Sequence, residues 1–481
     1  MNSFIEQIIT LFKGKVLNAG GAEKTIYEYI QDGDIPKAIS MMQNRDDEVD
    51  NALREYNPEL HEVMRRSNKY RKNADPYKTE KLPRNRQDYI NEVELFFLFG
   101  NPIKWKKKEG NDEAFKLFMD FIEEQYYHDN ICEAKRLAGA ETESAKLYHI
   151  TKKNGKIGVK TIILARSKGY KLRPLFDQYS NLQAFAYGYT LKQNGKNVQH
   201  WDFETPEFLF FTENDSSGWK VRTYPNPTGK INVIYYQQRK SWHGVEQRLK
   251  REEMLDSKTA DTNNYFADPI AKASADVVQS MVGPETIGGL IQTTGRDSVF
   301  EYINPPQSSE SRNAEMKSLN SSILFDTYTP DLSYDNLKGM GSLSGVAIKN
   351  SMTIGYIKRN RNIGIYKQLI RRDINVILEL LVLMYPEKHD AIKALKVDFE
   401  FAEPFDSDNG EVQDRLSRLY QAGLVSREEA VRQLAICSDT NGEIHRLEEA
   451  ETKSKESQES EKKNNAGKEN PDKTQTNVGI P

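Results

Sequence analysis

Between residues 147 and 240 the chain gives up helical spacing for short runs of strand-forming residues, and that change decides which folds are open to it. "KLYHI", "TIILARS", "EFLFF", "WKVRTY" and "INVIYYQQ" are separated by "KKNGK", "TENDSSG" and "PNPTGK", which carry the Asn-Gly, Ser-Gly and Pro-rich chemistry of hairpins and turns. Helical patterning precedes and follows this stretch. Residues 1 to about 75 read as charged helices, and "QDYINEVELFFLFG" is a helix stopped by Gly100-Asn101-Pro102. After 240 comes the helix "GVEQRLKREEMLDSKTADTNNYFADPIAKA", then the Gly-rich interval "VGPETIGGLIQTTGRDSVFEYINPP" with one or two small strands. The helix "SSESRNAEMKSLNSSILFDTY" runs to Thr329-Pro330. A long helix is expected over about 344 to 385, and two short ones around Gly423. The fold class is therefore α+β.

A chain of 481 residues holds roughly two to four domains' worth of core. Only 37% of it is hydrophobic while 29% is charged, so part of it is expected to stay disordered or to bury itself against further copies. The segment from about 447, "EEAETKSKESQESEKKNNAGKENPDKTQTNVG", lacks aromatics and reads as a disordered tail. The net charge of -3 offers no whole-chain attraction to nucleic acid, which leaves local patches. Cys132 and Cys437 form no CxxC pair, as suits a reducing compartment without a disulfide framework. The N-terminus reads as a short amphipathic helix and not a signal peptide, and the apolar runs "ELFFLFG" and "LELLVLMY" are far below the ~20 residues a bilayer span requires. A soluble chain made inside a cell is expected.

The most suggestive stretch chemically is "LKGMGSLSGVAIKN", 337 to 350. It fails as a phosphate loop because no Lys-Ser or Lys-Thr follows its last glycine. "GGLIQTTGRDS" has one residue too many and Arg296 in the lysine position. "GSLSG" places Leu343 where a nucleophile elbow needs serine. "HEVMR" has Arg65 where a zinc protease needs its second histidine, and the seven histidines are scattered. Acidic pairs such as Glu252-Glu253 read as a solvated helix face. No catalytic residue, metal site or cofactor is expected. The role left to the glycines is mechanical. Gly339, Gly341 and Gly345 admit backbone angles other residues avoid, and Ser344 can cap a helix starting near Val346.

Four stretches together resemble the portal proteins of tailed bacteriophages, of the siphophage type: "ELFFLFGNPIKW", "TGKINVIYYQQRKSWHGVEQ", "DTNNYFADPI" and "TYTPDLSYDNLKGMGSLSGVAIK". The resemblance implies a mixed α/β wing, a two-helix stem, a small β-containing clip, a long channel-side helix and an α-helical crown. In this numbering, 1–79 is an N-terminal helical region, 80–245 and 346–404 the wing, 246–270 and 308–328 the stem helices, and 271–307 the clip. Residues 329–345 are the channel loop, 405–447 the crown and 448–481 the tail. The loop would present Tyr334, Asn336, Lys338 and Met340 to DNA, with Gly339, Gly341, Ser344 and Gly345 as hinge and cap. The basic run Lys358, Arg359, Arg361 would serve ion pairs between subunits, and "KWKKK" (104–108) would lie at a hairpin tip or on the outer wing.

The implied function is a non-enzymatic ring, a dodecamer in the capsid, that conducts double-stranded DNA in packaging and ejection. Its partners would be the terminase large subunit, head–tail adaptor proteins, and the major capsid and scaffold proteins. It would sit at one vertex of the virion, after assembly in the host cytoplasm. Another head or tail ring would lack the helix–β–helix insertion at 246–328. A nucleotide-dependent enzyme would bind ATP or NAD and lose that binding on Gly341→Ala.

Overall fold

The computed structural model describes residues 24–70, 76–153, 155–193, 195–215, 218–267, 271–274, 290–293, 300–302, 309–334, 336, 338, 352–404, 409–434, 444, 446, 447, 449 and 450. The expected tail lies almost wholly outside them. They fall into two compact units, one ending at Pro404 and one starting at Asn409.

The larger unit opens on short helices with strong local signals. In α1 (Ile26–Gln31) Thr25 and Glu28 form a reciprocal capping box. α2 (Ile35–Ser40) follows an Asp34 carboxylate that accepts from the Lys37 amide at 3.3 Å. α3 (Asp46–Tyr56) carries Asp46, Asp47 and Glu48 in its first turn, where the helix dipole favours them. Two single-turn helices and the two-residue strands β1 (Lys69–Tyr70) and β2 (Pro76–Tyr77) lead into α4 (Arg86–Phe99). Gly100 ends α4, as its sequence predicts.

β3 (Lys104–Glu109) is the "KWKKK" stretch. It is a strand paired antiparallel with β15 (Lys396–Glu400), and not a hairpin tip. Its lysines reach outward, Lys106 to Glu400 at 2.6 Å, while Trp105 turns inward against Phe118, Tyr127 and Phe399. Strand alternation sets Trp105 on the face opposite Lys104 and Lys106. α5 (Asp112–Glu124), capped by Asn111, and α6 (Tyr127–Glu141) then pack with α4 over the strands that follow.

β4 (Glu143–Lys153) and β5 (Lys156–Leu164) form a hairpin, and β11 (Val233–Gln237) joins β4 on its other edge. Between them runs an antiparallel five-stranded meander of β6 (Lys171–Phe176), β7 (Leu182–Gln193), β8 (Lys196–Glu204), β9 (Phe208–Asp215) and β10 (Gly218–Pro225). α1 and α2 cover one side of this sheet, with Ile26, Ile30 and Ile35 clustered with Phe203 and Phe210.

The meander buries two carboxylates on one face of β8. Asp202 accepts from the Tyr189 hydroxyl at 2.9 Å, and Glu204 from the Asn232 amide at 2.9 Å. Burial pushes Asp202 up to about 6, and burial with the neighbouring Asp202 charge pushes Glu204 up to about 8. Below the ordinary glutamate value of 4.5 both folded and unfolded chains hold the Glu204 proton, and that stability is fully present. As pH rises toward about 8 the unfolded chain has already released it, so stability falls. Glu204→Gln, which keeps an oxygen for Asn232, is expected to flatten this decline, as read by denaturation midpoints across the range.

α7 (Glu246–Ala267) leads to a small sheet of β12 (Ala271–Ser274), β13 (Leu290–Thr293) and β14 (Phe300–Tyr302), with β12 central, parallel to β13 and antiparallel to β14. α8 (Ser309–Asp326) returns antiparallel to α7, joined by Arg248–Asp326 and by Arg251–Glu315 at 2.8 Å. The paired acids of α7 are not solvated. Glu252 is 0% exposed and Glu253 3%, because a strap formed by 61–68 and 78–86 lies over them. Arg84 and Arg86 reach Glu252, and His61 and the Arg84 amide reach Glu253.

The long helix α9 (Thr353–Met384) crosses the core built by α4, α5, α6 and the β4 sheet, and α10 (His389–Lys393) leads from it into β15. Met352 holds the cap position of α9, so the described helix starts later than the expected Val346. In the smaller unit, α11 (Asn409–Gln421) and α12 (Arg427–Leu434) flank Gly423, whose φ of 69° turns the chain as the sequence suggests.

Candidate functional site

The segment joining α8 to α9 has a root held from three directions. At the end of α8 the Thr327 hydroxyl donates to the Ile323 carbonyl at 2.8 Å, and the Thr327 amide donates to the same carbonyl at 3.2 Å, which closes the last turn. Tyr328 follows at φ 52°, a left-handed conformation that side chains rarely adopt, and it turns the chain away from the helix axis. Pro330 cannot continue the helix. The Tyr89 hydroxyl on α4 then clamps the next turn: it donates to the Pro330 carbonyl at 2.7 Å and accepts from the Leu332 amide at 2.8 Å.

The third hold comes from α9. Lys358 Nζ lies 3.4 Å from the Thr329 hydroxyl and 3.4 Å from the Ile90 carbonyl. The Arg361 guanidinium lies 4.9 Å from the centre of the Tyr328 ring. Arg359 turns the other way, to Glu403 at 3.2 Å and to the carbonyls of Phe401 and Ala402. Lys358, Arg359 and Arg361 are thus each engaged within their own chain. Two of the three are buried and spent on contacts local to the fold.

Beneath the root sits a buried ionic cluster. Glu94 of α4 meets Lys135 of α6 at 2.8 Å and Lys358 at 3.4 Å, and also accepts from Asn362 at 3.1 Å. Burial works against the Glu94 carboxylate, but Lys135 and Lys358 overcome it and hold the group down at about 2. Burial lowers Lys358 to about 8, and Lys135 pushes the same way against the pull of Glu94.

Beyond the root, Asp331 accepts from the Ser333 amide at 3.0 Å. Tyr334, Asn336 and Lys338 are in helical conformation and exposed, Tyr334 to 77%. Met340, Gly339, Gly341, Ser344 and Gly345 lie outside the described residues. Sequence reasoning picked out the segment and missed what holds it: Tyr89, Glu94, Lys135 and Thr329. Glu94 did leave a signal, as a lone acid inside "VELFFLF" that requires a buried partner.

Among the described residues no group of His, Cys, Asp and Glu could hold a metal ion. The Cys132 thiol is pushed up to about 11 by burial, far from the range of a reactive thiolate. No helix among the described residues is long and apolar enough to cross a membrane.

Comparison with curated proteins finds no match. Among solved structures the chain is similar to one described as the neck of a native gene transfer agent particle computed with C12 symmetry, at 8% identity and a TM-score of 0.40, covering 73% of this chain and 91% of that one. It is similar as well to one described as the virion of a native gene transfer agent particle, at 7% identity and a TM-score of 0.35, covering 73% and 89%. A family model described as phage portal protein, SPP1 Gp6-like, matches residues 37–463. That match runs through the main core, the α7–α8 hairpin and the rooted segment alike, and by it the chain belongs to the SPP1 Gp6-like family of phage portal proteins, structural components of the virion.

Proposed function

We propose that the chain is the protomer of a twelve-subunit portal ring at one capsid vertex, whose central channel conducts double-stranded DNA during packaging and ejection. In this reading 80–245 and 346–404 are the wing, α7 and α8 the stem, 271–307 the clip and 329–345 the channel loop. Residues 405–447 are the crown. The clip docks the terminase motor and later the head–tail adaptors, and the outer wing meets capsid and scaffold proteins as the ring assembles in the host cytoplasm. ATP hydrolysis belongs to the motor, and this chain carries no cofactor.

The observation that carries the reading is the helix–β–helix excursion, followed by a firmly rooted segment that leaves exposed Tyr334, Asn336 and Lys338 ahead of a 32-residue helix, all inside the family match. Repeated around a ring, Lys338 becomes a circle of charge that meets phosphates without reading sequence, so DNA can slide. A near-neutral protomer suits a conduit that must not grip its polymer.

Negative-stain images of the purified full chain are expected to show annular particles with a central hole. Compact monomers or dimers at assembly concentrations would overturn the reading. Lys338→Ala is expected to leave annuli intact while weakening the salt-sensitive retention of short duplex DNA, measured by cosedimentation at increasing ionic strength.

A further inference from the structure

We propose that Lys358 is a releasable latch: a positioning residue that ties the root of the 327–338 segment to the wing core and can let go without unfolding that core. The inference rests on reading 329–345 as the channel loop.

The asymmetry of the Glu94 cluster is the first observation. Lys135 holds Glu94 at 2.8 Å and is itself 0% exposed, whereas each contact of Lys358, to Glu94, Thr329 and Ile90, is 3.4 Å. Good N–H···O bonds run to about 3.2 Å, so Lys358 is the loosely held cation. If it leaves, Glu94 keeps Lys135 and Asn362, and Thr329 keeps Thr327. No charge is orphaned in the core, which is the usual obstacle to opening a buried ionic cluster. Two cations share one carboxylate here, with Arg361 of the same helix adding to the positive field. Departure of the outer one relieves repulsion.

The contact between helices supplies the second observation. Gly355 faces the Phe97 ring of α4 so closely that an added Cβ would come within 2.2 Å of ring carbon. The outer carbons of the ring thus fill the gap that Gly355 leaves, and Tyr356 meets the same ring edge-on at 5.6 Å, so the first turn of α9 stays seated on α4 without help from Lys358. Lys358 and Arg361, one and two turns further on, are the links from α9 to Thr329 and Tyr328.

The test is hydrogen exchange on the full chain, read at the root amides Thr329 and Leu332, which bond to the Leu324 carbonyl and the Tyr89 hydroxyl. Lys358→Met is expected to raise root exchange about ten-fold while leaving α6 and β4 protected, the signature of a local opening. Lys135→Met, by contrast, is expected to loosen α4 and α6 together. Lys358→Arg keeps the cation and is expected to keep root exchange near the parent level. Unchanged root exchange in Lys358→Met, a uniform loss of protection, or a Lys358→Arg chain as loose as Lys358→Met would each overturn the latch. The readout needs neither DNA nor a ring, so annuli in the microscope with no effect at the root sink the latch alone. Selective root opening in a chain that forms no annuli sinks only the portal reading.

Discussion

Asp373→Ala is expected to destabilise the larger unit by about 3–5 kcal/mol, the cost of leaving a buried cation without its partner. Asp373 comes from the middle of α9 and is 0% exposed, and Lys146 on β4 is equally buried. One Asp373 oxygen pairs with Lys146 and the other accepts from the Tyr148 hydroxyl at 2.6 Å. Lys146 Nζ also lies 4.0 Å from the centre of the Tyr127 ring. One carboxylate thereby fastens the long helix to the sheet and to the start of α6. Burial already depresses Lys146 below its ordinary value despite Asp373, so without Asp373 the ammonium must either stay charged in apolar surroundings or lose its proton. Denaturant titration gives the loss directly. Pairing Asp373→Ala with Lys146→Met should recover much of it, since the orphaned charge and not the missing bond dominates. A single-variant loss below about 1 kcal/mol, the range of an exposed ion pair, would remove this cluster from the account of what holds α9.

What the sequence disclosed and what it hid divide along physical lines. Elements with strong local chemistry were legible: α4 with its Gly-Asn-Pro stop, the β4–β5 and β9–β10 hairpins, the α7 and α8 helices, and the turn at Gly423. β6, β7 and β8 were not read, because their alternation mixes Arg, Gln and Lys with aromatics. A second Asn-Gly-Lys turn at 194–196, with Gly195 at φ 79°, was the available cue. The larger miss concerns charge. Composition reasoning sends charged residues to solvent, yet Glu94, Lys135, Lys146, Asp373 and Glu252 are all at most 5% exposed. Each is paired with a residue 40 or more positions away, a distance over which spacing and periodicity carry no information. The end of α8 could be located from Thr329-Pro330, while the glycines that follow lie outside the described residues. Its anchors could not, because Tyr89 and Lys358 reach it only through the fold.

Trp242→Ala is expected to cost about 3–5 kcal/mol, as for other large aromatic truncations in a core, and to loosen the base of the α7–α8 hairpin first. Trp242 is 0% exposed and lies in a small apolar cluster with Ile90 of α4, Val245, Leu249 of α7 and Ile323 of α8. Its ring stacks on Tyr56 at 5.6 Å, and its indole N–H donates to Glu55 at 2.8 Å. This cluster stands apart from the main apolar core, so the hairpin base depends on few apolar contacts. Much else along α7 is polar and held by the strap through Arg66–Asp261 and Arg84–Asp256. Trp242→Phe preserves stacking while giving up the donor, and Glu55 keeps Lys240 at 2.5 Å, so the loss should be only about 1–2 kcal/mol. Denaturation gives the two magnitudes, and hydrogen exchange locates the damage. Protection should fall in 246–258 and 318–326 before it falls in α6. Equal loss in both regions would mean that the hairpin base has no separate foundation, and a chain indifferent to Trp242→Ala would mean that the strap alone carries the hairpin.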